Sequence, residues 1–213
     1  MPKNQTLDEF YSTFREEVLC ASDTETSGWT TEDFLTNVMI EYLEEAGEVT
    51  DPVICPFRGY GLQMNAYAIS EDCESVDIFV SIYSESDRPR SVSQADIDAA
   101  IKRAIQLYHK AINDLYTAFQ KDNDTYEFAI TLHQNKDNIK HVRICALTNG
   151  LVKPIALKNI TIGDAEISFS LWDVDRLYRC VTSGKMRETI EIDFEEKFQT
   201  SIPCICLLYT SDA

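Results

Sequence analysis

The chain predicts an α/β fold in which helices flank a central mixed sheet, and three observations lead there. Apolar residues make up 44% and charged residues 26% of its 213 positions, a balance that supports a buried core and excludes disorder as the main state. Segments with apolar residues every three or four positions are interspersed with β-branched runs, in the order α-α-β-β-α-α-β-β-α-β. No run of about 18 apolar residues occurs, and the N-terminus MPKNQTLDEF lacks a secretory apolar core, so the expectation is a cytoplasmic protein with no membrane partner.

Each element has a local reason. Thr6 and Glu9 have the spacing of a capping box, and Phe10, Phe14 and Val18 then recur on one helical face. Thr30 or Thr31 caps a second helix with Phe34, Val38, Tyr42 and Leu43 inward and Gly47 at its end. Pro52 and Pro56 bracket an expected short connector. GYGLQMNAYAISEDCESVDIFVSIY, residues 59–83, reads as two strands joined by the acidic turn Glu71-Asp72-Cys73-Glu74. After the polar linker SESDRPRSVSQ, Ser93 caps a long helix whose apolar stripe runs Ile97, Ile101, Ile105, Tyr108, Ile112, Leu115 and Phe119. A shorter helix is expected around Tyr126–Lys136, and HVRICALTN is a strand ending in the turn Thr148-Asn149-Gly150. From Glu166 a strand passes into a helix at Trp172-Asp173, with Asp173 as cap and Gly184 near the helix end. Glu188 to Phe194 alternates like a strand with one wet face. A domain break, if present, falls near Asp87–Ser93.

The net charge of −17 argues against a broad nucleic-acid surface, because phosphate binding draws on clustered cations. Lys102, Arg103 and Lys110 share part of the long helix, read first as ordinary surface charge and alternatively as a stripe for phosphates. Seven scattered cysteines suggest reduced thiols, and His109, His133 and His141 complete no zinc pattern. Residues 206–213, CLLYTSDA, resemble the translation of a transposase mosaic-end sequencing adapter. They are expected to be a non-native tail, with the natural protein continuing beyond Ile205.

The hairpin at 59–83 resembles that of the PD-(D/E)xK nuclease fold, where an Asp on the first strand and an acid-x-Lys on the second gather a divalent metal and activate water. Here the first slot is Asn65, and Val80, Ser81 and Ile82 stand where acid, spacer and lysine belong. The N-terminal acidic helix, the hairpin, the long helix, HVRICALTNG, ISFSLWDVDRLYR and IEIDFEEKFQTSIPCI, in that order and over most of residues 7–205, resemble the N-terminal portion of AIPR proteins, the abortive-infection phage-resistance family. That resemblance implies bacterial antiphage defence and a degenerate restriction-endonuclease-like N-terminal core. It also implies a nuclease-like helix–hairpin region at 1–90, with 91–205 the remainder of the same α/β domain or a second packed subdomain.

The candidate site residues follow. Glu41, Glu44 and Glu45 lie on the second helix, as a solvated face or as the helical Glu that a nuclease metal site uses. Asp77 on the second hairpin strand is an offset metal ligand only if the register slips, which would turn its apolar neighbours outward. A site of Glu41 or Glu45 with Asp77 would need carboxylates within about 4–6 Å and would take Mg2+ or Mn2+. Trp172, Asp173 and Arg176 form a strand–helix junction or, alternatively, a ligand site. Three functions stay open: a degenerate nuclease-like scaffold or sensor, a metal-dependent nuclease with an unconventional site, and an acidic protein-interaction domain. The partners expected are the missing C-terminal region of the same protein and a further protein, with nucleic acid left open.

Overall fold

A computed structural model describes residues 6–24, 28–121, 123–155 and 157–183. The expected strand at Glu188–Phe194, the stop at Gly184 and the tail at 206–213 lie outside the described residues.

Helix α1 (Leu7–Thr24) begins at the predicted box, where Thr6 N–H donates to Glu9 Oε2 at 2.8 Å. Helix α2 (Thr31–Glu45) uses Asp33 in the same way: its Oδ2 accepts from the backbone N–H and the hydroxyl of Thr30 at 2.8 and 2.7 Å. Strands β1 (Val53–Gly59), β2 (Leu62–Ile69) and β3 (Ser75–Ile82) follow as an antiparallel meander. Helix α3 (Gln94–Ala111) leads through a 3-10 turn (Leu115–Ala118) to α4 (Asp124–Gln134), and β4 (His141–Thr148) then pairs parallel with β3. Strand β5 (Ile160–Ile162) turns back into β6 (Ala165–Trp172), which is parallel to β4 and runs into α5 (Val174–Thr182). The six strands form one mixed sheet in the order β1-β2-β3-β4-β6-β5.

Alternation on β3 sorts the core into two faces. Val76, Ile78 and Val80 pack under α3 and α4 with Ile97, Leu107, Tyr108 and Phe128, whereas Phe79 joins Phe14, Leu35, Met39, Leu43 and Leu177 from α1, α2 and α5. Both faces of β3 and β4 are therefore dry, as expected for parallel strands with helices on each side.

Three expectations need correction. The connector bracketed by Pro52 and Pro56 is largely strand β1. Pro56 is tolerated because β1 is an edge strand and its register shifts between Ile54 and Phe57. The long helix stops at Ala111 instead of continuing to Phe119; Asn113 Nδ2 donates to the His109 carbonyl at 2.7 Å, in place of a regular ladder bond. The expected order has no strand between HVRICALTN and Glu166, but β5 lies there; it has only three residues, too short to show alternation, and is joined to β6 by a tight turn in which Gly163 supplies the positive φ of 62°.

Candidate functional site

The sequence alternation of β2 changes phase at Asn65. Leu62 and Met64 belong to the α3-side core, but Ala66 and Ala68 belong to the α2-side core. Regular β2–β3 pairing runs only from Ile69↔Val76 to Ala66↔Phe79. Beyond it, side chains serve the backbone of Ser81: Asn65 Oδ1 accepts its N–H at 2.9 Å, and Gln63 Nε2 donates to its carbonyl at 3.2 Å. The Ser81 hydroxyl lies 2.7 Å from that of Thr36 on α2. Each of these four polar residues is at most 2% exposed, so their polar atoms depend on partners within the protein.

Helix α2 closes it. Asn65 Nδ2 donates to Asp33 Oδ1 at 2.9 Å and to Glu32 Oε1 at 3.3 Å, Gln63 Nε2 reaches the same Glu32 oxygen at 3.0 Å, and the Arg58 guanidinium forms an ion pair with it. Burial pushes the Glu32 carboxyl above the ordinary carboxylate range, opposed by the Arg58 charge and the Asn65 bond. The carboxamide oxygen of Gln63 is buried without a hydrogen-bond partner. Beside the network opens a cleft of about 370 Å³ lined by Trp29, Asp33, Phe57, Arg58, Asn65 and Asp124, among others.

This donor set does not fit a divalent cation. The Asn65 oxygen is committed to Ser81 N–H, and Glu32 Oε1 already accepts three N–H donors, one of them cationic. Among the described residues no group of three or more His, Cys, Asp or Glu is placed to hold a metal ion.

The other acids stand elsewhere. Asp77 is half-buried on β3 and forms a two-point ion pair with Arg143 of β4, whose Nε donates to Asp77 Oδ1 at 2.9 Å. Arg143 also donates to the Glu48 carbonyl at 3.2 Å, and its bond to Asp77 raises its own pKa. Arg143 thus ties β3 and β4 to the turn that follows α2. Glu41, Glu44 and Glu45 are exposed, and Glu41 accepts from Asn37 at 2.6 Å, one turn back on the same helix. The acids of α2 that meet the sheet are Glu32 and Asp33, in its first turn. Sequence reasoning assigned that turn only to capping. The available signal was the pair Gln63 and Asn65, two amides at i and i+2 in an apolar strand, which need polar partners from whatever packs on them.

Trp172, Asp173 and Arg176 come together as a junction. Asp173 Oδ1 accepts Arg176 N–H at 2.8 Å as the cap of α5, and its Oδ2 accepts Val152 N–H at 2.8 Å. The Arg176 guanidinium lies 3.7 Å from the centroid of the Trp172 ring and donates to the Leu171 carbonyl. Lys102 and Lys110 are exposed on α3, whereas Arg103 is half-buried with its Nε lacking a hydrogen bond.

Comparison with known proteins found no match among curated proteins and none among solved structures. The model of the abortive infection phage resistance protein N-terminal domain matches residues 35–179, which span the sheet from β1 to β6 and most of α5. A match over more than half of the chain shows that it belongs to the abortive infection phage resistance family.

Proposed function

We propose that this N-terminal region is a non-catalytic, nuclease-like scaffold or sensor within its phage resistance protein, acting in the bacterial cytoplasm beside a C-terminal region and a protein partner. One observation carries the reading: the carboxamide of Asn65, which the resemblance puts where a nuclease strand would offer a metal-binding Asp, is consumed in holding Ser81 and α2 together. Ile82, in the slot of the catalytic lysine, has no group to activate water. The acid proposed as an offset ligand, Asp77, is neutralised by Arg143.

A metal-dependent nuclease with an unconventional site is the competing reading; it would require Glu32 to give up the N–H donors that its Oε1 accepts. Both readings are tested by incubating the chain with DNA and RNA in Mg2+ or Mn2+, beside Glu32→Gln and Asp77→Ala variants whose folding is followed by circular dichroism. The scaffold reading expects no cleavage by folded protein. Metal-dependent cleavage that disappears in folded Glu32→Gln would overturn it in favour of a site on α2.

A further inference from the structure

We infer that the cleft at the start of α2 binds an alkylammonium or guanidinium group, supplied either by a free small amine or by a Lys or Arg side chain of a basic partner. The inference holds whether or not the domain cleaves nucleic acid. At about 370 Å³ the cleft is of a size that takes a single such side chain or small molecule. Its apolar wall contains Trp29, Phe57, Pro56 and Met64. Aromatic faces attract cations and cover the methylenes that carry them.

The polar side supplies acceptors and a negative charge. Asp33 is 7% exposed; its Oδ2 takes both donors of Thr30, but its Oδ1 takes only Asn65 Nδ2, which leaves one lone pair for a further donor. Asp124, in the first turn of α4, adds an exposed carboxylate to the lining. Arg58 is the lone cation among the lining residues, and it is already committed to Glu32. An incoming anion would meet two carboxylates and a neutralised arginine. A cation meets an aromatic wall and the Asp33 and Asp124 carboxylates, in a chain whose net charge of −17 draws cations toward it.

Titration calorimetry of the intact chain with agmatine, and separately with an acetylated and amidated Gly-Arg-Gly peptide, tests this. One-to-one binding is expected, weakened at least about tenfold by Asp124→Asn and by Trp29→Leu, and unchanged by Glu71→Gln, an exposed acid in the β2–β3 turn. Asp124 is exposed, so its variant keeps the test valid if Trp29→Leu fails to fold. Agmatine binding alone would identify a free amine as the source, peptide binding alone a partner protein, and both support the shared chemistry. Absence of binding, equal weakening by Glu71→Gln, or tighter binding of inorganic phosphate than of agmatine would overturn the inference.

Discussion

Replacing Asn65 with Ala removes the acceptor of Ser81 N–H and a donor to Glu32 and Asp33 of α2, at a position only 2% exposed. A buried polar group stranded in this way costs about 1–3 kcal/mol, so Asn65→Ala should lower unfolding free energy by about 2–3 kcal/mol in urea titrations. A loss under 0.5 kcal/mol would mean that water reaches Ser81. Glu32 gives a pH signature. Because burial raises its folded-state pKa, the folded protein favours the protonated carboxyl. Its contribution is fully present below the ordinary Glu value of about 4.3 and is lost as pH rises through the folded pKa. Glu32→Gln removes that dependence. Stability relative to the variant should fall as pH is raised from about 4 toward 7, and a difference independent of pH would refute the shift.

At the scale of elements, the linker after β3 is held against the end of β4 by paired contacts. Asn149 Nδ2 donates to the Ser84 carbonyl while its Oδ1 accepts Ser84 N–H, and Leu151 N–H donates to the Arg90 carbonyl at 2.7 Å. A Cβ on Gly150 would lie 2.6 Å from the Arg90 carbonyl oxygen and 2.5 Å from a Val92 methyl. Gly150→Ala must push this backbone away, and a loss of about 1–3 kcal/mol in thermal or chemical unfolding is expected. An unchanged midpoint would show that the linker yields freely. Capping was legible here from residue type alone: Thr6, Ser93 and Asp173 all stand where the sequence placed them. Strand β1 was not, because prolines signal a break unless the strand is known to lie at an edge.

For the whole molecule, the dominant global feature is the charge of −17. Self-repulsion of that size is long-ranged, and salt shortens its reach to about 10 Å at 0.1 M. The melting temperature should therefore rise between about 20 and 200 mM NaCl, with no retention on immobilised duplex DNA at the lower salt. A fall in melting temperature would show that local ion pairs such as Asp77–Arg143 outweigh the global term.

By itself, the sequence determined the α/β class, the hairpin of β2 and β3, the strand β4 and the junction at Asp173, since these rest on periodicity and capping within a few residues. The tertiary structure alone decided which acids meet the sheet. Glu41, Glu44, Glu45 and Glu32 are equivalent as letters on one helix, but the packing of Phe34, Leu35 and Met39 onto the sheet turns Glu32 and Asp33 toward Gln63 and Asn65. Asp77 could be read as a metal ligand until β4 brought Arg143 beside it, 66 residues away along the chain. Long-range pairing of this kind depends on strand order and register, which no local window of residues contains.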